Sequence, residues 1–398
     1  MRSSRKIFSA SEDEILQGKV SDVYFERSIR GINEEIEGHE VSAEFTVSGP
    51  NDPWVNFTGL EEVVSLLEGK GVDLFSIREG TIFPLKDANG VPIPVMRIRG
   101  EYSKFGVFET SILGLICQSS GISTYSSRIR REIGSIPFYS FGIRRMHPAI
   151  SPMIDRAAYI GGAAGVSGVL GGDLTNTVPV GTMPHAMAII YGDDQAWKMV
   201  APVKGGRTVL IDTFMDEKFA AIKAAETIPD LRMIRIDTPA SRRGKMESII
   251  REIRWELDLR GYKNVKIMVS GGLKLENLAG LVRSGADSFG IGTSIASAKP
   301  YDFSMDIVEV DGNPVTKRGK FSGRKEVFRC ESCRNWFVRP AQWVQEKCKC
   351  GGNMDPMLHQ FLKGGSRSSP YPAIEKIREN SLMEISHMDS AETEKWLS

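Results

Sequence analysis

The sequence predicts an α/β protein built on a parallel sheet, with a β-rich domain before the sheet and a cysteine knuckle after it. Three observations predict this. Short apolar runs between residues 208 and 292 recur at the spacing of a βα unit, amphipathic helical patterns fill the gaps, and period-two alternation is concentrated in residues 1–118.

Within 1–118, Val41–Val47 alternates strictly, and the segments Val95–Arg99 and Gly106–Glu109 read the same way, separated by Gly, Pro, Asn and Asp. Apolar residues at helical spacing predict one short helix over Leu60–Leu67. Segment 301–325 is a candidate completion of this domain. Residues 119–300 carry the βα units. Thr208–Asp212, Met233–Asp237, Val265–Ser270 and Ser288–Gly292 have the length and composition of buried parallel strands. Between them, Ser241–Leu259 sets Met246, Ile249, Ile250, Ile253 and Leu257 on one stripe, and a helix carrying Leu275, Leu278, Leu281 and Val282 stops at Ser284-Gly285. Such a sheet is either open or closed as a barrel, and the position of its phosphate signals favours the barrel. Residues 326–356 hold paired cysteines. Residues 357–398 read as a Gly/Ser/Pro-rich linker, Lys363–Pro372, and an amphipathic tail helix.

Among the 398 residues, 51 Lys and Arg nearly cancel 50 Asp and Glu, so no global field selects nucleic acid or a membrane surface. Any anion site must be local. No apolar run follows the basic N-terminus, and the stretch Ala157–Gly172 is too short and too broken by Gly and Ser to span a bilayer. Five cysteines do not make a disulfide scaffold in a chain this long. The expected compartment is the cytoplasm, with Cys117 a buried thiol.

Two strands run directly into glycines and then into helices: Ser270-Gly271-Gly272 and Gly290-Ile291-Gly292-Thr293. Glycines let backbone N–H groups approach an anion, and the helix start adds partial positive charge. The alternative is that they only permit tight turns; the spaced pair points to a phosphorylated ligand. Asp212, Arg235 and Asp237 end the two preceding strands, where the chemistry of a barrel lies. Arg suits phosphate oxygens and Asp suits magnesium or ribose hydroxyls; the competing reading is a structural ion pair. His185 is either a packing residue or a catalyst, and Phe141 with Arg144 and Arg145 either stacks on a flat acid or packs beside solvated arginines.

Cys330-x2-Cys333 and Cys348-x-Cys350 stand fourteen residues apart, a spacing that supplies four thiolates for tetrahedral zinc. Four ligands close the shell, which makes the metal structural. Trp336, Phe337, Arg339 and Trp343, with Lys347 and Lys349, form either the core of the knuckle or a platform for single-stranded nucleic acid; the core is favoured.

The segments Asp22-Val23-Tyr24, Phe141–Arg145 and Gly181-Thr182-Met183-Pro184-His185, with the loops at 270–272 and 290–293, resemble the nicotinate phosphoribosyltransferases over most of residues 20–320, closest to the short archaeal type. The resemblance implies the incomplete α/β barrel of the type II phosphoribosyltransferases and a homodimer, or higher homo-oligomer, with shared active sites. It implies transfer from PRPP (5-phosphoribosyl 1-pyrophosphate) to nicotinate in NAD salvage. Phe141 would hold the ring with Tyr24 of a second copy, near Arg144, Arg145, Asn176 and Thr182. Asp212, Arg235 and Asp237 would surround the ribose, Mg2+ and pyrophosphate, while Ser270, Gly271, Gly272, Gly290, Gly292 and Thr293 hold the 5′-phosphate. His185 would take phosphate from ATP, although Pro184 departs from the alanine usual before it. The rival readings are a nicotinamide or quinolinate enzyme, a sugar-phosphate isomerase or aldolase, and a zinc-knuckle module for nucleic acid or protein on a barrel scaffold.

Overall fold

The computed structural model describes residues 6–30, 38–48, 53–203, 207–242, 244–343 and 347–388; the basic N-terminal residues 1–5 lie outside them. The chain divides into two compact units, residues 1–124 with 299–398, and residues 125–298.

The first unit is built on a seven-stranded sheet in which every neighbouring pair is antiparallel. Its order is Asn313–Pro314, Asp302–Val310, Glu40–Ser48, Met96–Glu101, Asp73–Ser76, His359–Lys363 and Ser366–Arg367. The alternating strand is there, yet it is buried on both faces. Ala43 and Phe45 enter the apolar core, and Ser42 and Glu44 on the other face are only 2% exposed. Glu44 tolerates this because Lys325, on a strand of the C-terminal three-stranded sheet (Lys325–Cys330, Trp336–Pro340 and Met354–Pro356), donates to it from both its backbone and its ammonium group.

The helix Leu60–Leu67 forms as its spacing predicts, starting from Gly59 at φ 95°. Gly106–Glu109 does not form a strand. It is a 3₁₀ turn, Gly106–Phe108, running into a helix over Glu109–Ile133. Four alternating residues cannot settle a period, and the helix hides its own stripe because Ser119, Ser120, Ser123, Thr124, Ser126 and Ser127 are all buried. Several bond locally, such as Thr124 Oγ1 to Ser120 O at 2.6 Å. Among the described residues the stretch Tyr102–Ile133, not Ala157–Gly172, is long and apolar enough to cross a membrane, and 61% of its apolar window is buried inside the protein. Cys117 on this helix is half-buried rather than buried, and burial still raises its thiol pKa.

Lys363–Pro372 is not a plain linker. Gly364 and Gly365, at φ 56° and 83°, turn a two-residue hairpin between His359–Lys363 and Ser366–Arg367 at the sheet edge. The tail helix, Ile374–His387, is docked: Ile385 and Met388 pack on Trp54 and Ile82, and Ser381 Oγ accepts from Asn56 Nδ2 at 2.7 Å.

The second unit holds a parallel sheet of six strands, in the order Gly165–Val166, Phe138–Ser140, Ser288–Ile291, Lys266–Ser270, Met233–Ile236 and Thr208–Leu210. Gly165–Val166 and Thr208–Leu210 end the order unpaired to each other, so the barrel is incomplete. The helices Glu217–Thr227, Met246–Leu259 and Leu275–Arg283 connect its strands; of the predicted stripe Met246, Ile250, Ile253 and Leu257 are buried, and Ile249 is half-buried. Because all six strands run the same way, their C-terminal tips share one edge.

Candidate active site

The strand tips of the second unit enclose a cleft of about 450 Å³. Phe141, Arg144 and Arg145 reach it from the tip after Phe138–Ser140, Ser167 from the neighbouring tip, and Arg235 and Asp237 from Met233–Ile236. Residues 270–274 and Gly290, Gly292, Thr293 and Ser297 complete the wall.

Arg235 is held by three hydrogen bonds, which leave one N–H on each terminal nitrogen for a ligand. Its Nε donates to Ser270 Oγ at 2.9 Å, Nη1 to Thr182 Oγ1 at 3.1 Å and Nη2 to Asp237 Oδ2 at 3.0 Å. Its guanidinium carbon lies 5.3 Å from the Phe141 ring centroid, over the ring. Ser270 Oγ donates to the other Asp237 oxygen at 2.8 Å. Thr182 therefore meets the cleft through Arg235. His185 opens the helix His185–Tyr191, with Nδ1 3.3 Å from Thr213 Oγ1 and Nε2 3.9 Å from Asp237 Oδ2.

Asp212 contrasts with these partners. Both of its carboxylate oxygens are buried and neither has a hydrogen-bond partner among the described residues. Burial raises its pKa; the charge of His185 lowers it, that of Asp237 raises it again, and the nearby backbone N–H groups of Asp212 and Asp237 lower it without making a hydrogen bond of good geometry. An orphaned buried carboxylate beside a second one is a donor set suited to a hard divalent cation.

Gly271 and Gly272 both lie at positive φ, 82° and 67°, so successive N–H groups can converge on an anion. Gly290 has a second task. A Cβ there would come within 2.5 Å of Phe141 Cδ2, so the missing side chain makes room for the ring.

Five expected residues do not line the cleft: Thr182, His185 and Asp212 stand behind Arg235 and Asp237, and Asn176 and Tyr24 lie elsewhere. Asn176 is exposed and ends the helix Val169–Thr175 in a left-handed conformation, φ 50°. Tyr24 belongs to the first unit, where it is 57% exposed and 4.3 Å from the Phe25 ring.

The four cysteine sulfurs lie within 4.8 Å of one another and could hold a metal such as zinc. Gly352 allows this closure, because a Cβ there would sit 2.8 Å from Cys330 Sγ. The Gly352 N–H, then the neighbouring thiols, pull the Cys350 thiol down to about 7, while burial and its neighbours push Cys333 up to about 12. One thiol is thus favoured to ionise while burial and its neighbours hold others protonated, and a bound cation would displace those protons. Phe337 and Trp343 pack in the cysteine cluster with Arg339 over both rings, each at 5.3 Å, whereas Trp336, 2% exposed, packs into the large apolar core of the first unit.

The N- and C-terminal domain profiles of the quinolinate phosphoribosyl transferases match residues 22–120 and 122–306. The crystal structure of nicotinate-nucleotide pyrophosphorylase from Pyrococcus furiosus is 44% identical, covers 97% of this chain and 99% of its own, and superposes with a TM-score of 0.91. The chain belongs to the quinolinate phosphoribosyl transferase family. Among curated members of this family, a nicotinate phosphoribosyltransferase of Mycobacterium tuberculosis is 30% identical over 253 residues, covering 59% of this chain and 55% of its own length. One from Bacillus subtilis is 28% identical over 261 residues, covering 59% and 52%. The chain thus spans about half the length of the curated relatives it matches. Human nicotinic acid phosphoribosyltransferase, at 18% identity and a TM-score of 0.77 over 92% of this chain and 93% of its own, shares the fold.

Sequence reading missed several wall residues of this family member: Ser167, Val180, Leu273, Lys274, Ser294 and Ser297. Lys274 had a signal, since it follows the double glycine directly. It is exposed at the cleft, and no described carboxylate pairs with it. The others are small or apolar and carry no chemical signature in one dimension.

Proposed function

We propose that this chain is a nicotinate phosphoribosyltransferase, which forms nicotinate mononucleotide and pyrophosphate from nicotinate and PRPP. One observation carries the reading: a hydrogen-bonded Arg235–Asp237–Ser270 set and a double-glycine turn share one cleft with a phenylalanine flanked by two unpaired arginines. The first half suits an activated sugar phosphate and the second a flat monocarboxylic acid.

The residues then divide the work. The amides of Gly271 and Gly272, with Lys274, hold the 5′-phosphate; Arg235 faces the leaving pyrophosphate; Asp237 sits at the ribose. Phe141 stacks on the pyridine ring while Arg144 and Arg145 neutralise its carboxylate, which aligns the ring nitrogen with carbon 1. As the carbon–oxygen bond to pyrophosphate breaks, positive charge develops on the sugar beside the carboxylates of Asp212 and Asp237. Those two carboxylates would also hold magnesium, which when bound neutralises pyrophosphate charge.

His185 we assign as the acceptor of a phosphoryl group from ATP, with Nδ1 held at Thr213 and Nε2 left to attack. ADP leaves, and later hydrolysis of the phosphohistidine supplies the coupling energy. A second copy of the chain would bring its Tyr24 to the other face of the ring. Exposed apolar residues on the second unit, among them Val169, Leu170, Val178, Ile189 and Ile190, are a surface suited to such a dimer.

Lys274 favours a second reading, because a third cation would suit the two carboxylates of quinolinate. Turnover of nicotinate, nicotinamide and quinolinate with PRPP and Mg2+, with and without ATP, decides between them. Nicotinate should lead in kcat/KM by about tenfold or more, because only its carboxylate matches the cations at the cleft. Failure to consume PRPP with any acceptor ends the proposal.

A further inference from the structure

Asp155 lies on the helix Ser151–Ile160, is fully buried, and appears in no part of the chemistry above. Its Oδ1 accepts from Ser140 Oγ at 2.8 Å, and its Oδ2 from the Gly168 N–H at 3.0 Å. Ser140 ends one strand of the parallel sheet and precedes Phe141. Gly168 follows Ser167, beyond the tip of the adjacent strand. The same two tips are joined by Ser167 N donating to Ser140 O at 3.0 Å, and Val180 of the cleft wall donates to Val166 O at 2.8 Å. The 3₁₀ turn Ile143–Arg145, which carries Arg144 and Arg145, lies just upstream of the helix that bears Asp155.

The space for this carboxylate is made by sequence. A Cβ at either Gly168 or Gly171 would collide with Asp155 Oδ2. Two glycines and a serine hydroxyl therefore surround one side chain, which bonds to the segments on both sides of the acceptor wall. Burial raises its pKa to about 6, against the lowering by Ser140 and Gly168. A buried acid under that penalty is retained here by the two donors it joins.

We infer that Asp155 is a positioning residue for the acceptor, acting through Ser140 and Gly168 to hold Phe141 and Ser167 in register. The inference rests on the functional reading above, in which this wall receives the pyridine ring and the tips at 235–237 and 270–274 receive PRPP. It follows that losing Asp155 should harm one substrate and spare the other.

The test compares D155A, D155N and S140A in the full-length protein. Asn can accept from Gly168 and donate to Ser140, so it should restore what Ala loses. D155A should raise the acceptor KM by about tenfold with the PRPP KM within about twofold, D155N should stay within about threefold of wild type, and S140A should fall between. Equal rises in both KM values, an unchanged acceptor KM, or D155N as impaired as D155A would overturn the inference. If D155A does not fold, S140A against D155N makes the same comparison. If the wild-type protein uses no acceptor, the functional reading fails. Asp155 is then decided by hydrogen exchange in S140A and D155A: lost protection across 141–145 and 165–181 with 266–274 unchanged supports it, and uniform loss or no loss rejects it.

Discussion

Two arginine–carboxylate networks, one in each unit, share their chemistry and differ in what they leave unpaired. In the first unit, Glu44 is 2% exposed and both its oxygens have donors: Lys325 N at 2.8 Å and Lys325 Nζ at 2.8 Å, with Arg97 Nη1 at 3.9 Å. Arg97 in turn donates to Lys325 O and Glu326 Oε1. Burial raises the Glu44 pKa, and Lys325 opposes it. In the second unit, Arg235 and Asp237 are paired just as closely, but Asp212 beside them keeps two buried oxygens without a donor. The packing network matches both oxygens of its carboxylate, although Arg97 Nε has no partner among the described residues. A network that serves a ligand leaves a valence for it. That difference is what supports the functional reading proposed for Asp212, Arg235 and Asp237, between which and a structural ion pair the strand-tip pattern could not choose.

The comparison breaks first if the packing network proves dispensable. Lys325→Met leaves Glu44 buried and without its countercharge, which should cost about 3 kcal/mol or more in urea unfolding. Both substrate KM values should stay within twofold of wild type. A variant of unchanged midpoint would show that the pair contributes nothing.

Asp237→Ala should do the reverse. It removes a carboxylate from the developing charge and should lower kcat by about a hundredfold or more, roughly 2.7 kcal/mol of barrier. Its unfolding midpoint should move little, because Arg235 keeps Ser270 and Thr182 as acceptors. Near-normal steady-state turnover would remove Asp237 from the site.

The smallest stability effect, and the sharpest in sign, belongs to Asp212→Asn. The folded pKa of Asp212 is raised, so its carboxyl favours the fold below the ordinary carboxylate pKa of about 4, and that contribution is lost as pH rises through the folded value. Asn does not titrate. Without metal, the variant should therefore gain stability relative to wild type as pH is raised above about 4, while losing activity at limiting Mg2+. If the two proteins keep a constant difference in midpoint across that range, Asp212 is not an orphaned charge.

Much of the second unit could be read in one dimension because its signals are local. The four strand segments, the stripe of Met246, Ile250, Ile253 and Leu257, and the glycines at 271–272 and 290–292 each depend on neighbours a few residues away. The same holds for the cysteine pairs. The first unit was less legible. Glu44 looked like the polar side of an alternating strand until Lys325, far along the chain, proved to cover it. The buried serines at 119–127 masked a helix, and Gly364-Gly365 looked like linker because a hairpin turn and a flexible spacer use the same residues.

What the sequence by itself determined is therefore the set of elements and the residue types at their ends: backbone conformation and periodicity act over one or two turns, so glycines, charges and cysteines declare themselves by spacing. Only the tertiary structure decided which of these groups share a cleft, which carboxylates are matched by donors, and that Asp155 bonds beside two strand tips. Desolvation and hydrogen bonding depend on what surrounds an atom in space, and residues distant in the chain supply most of that surrounding.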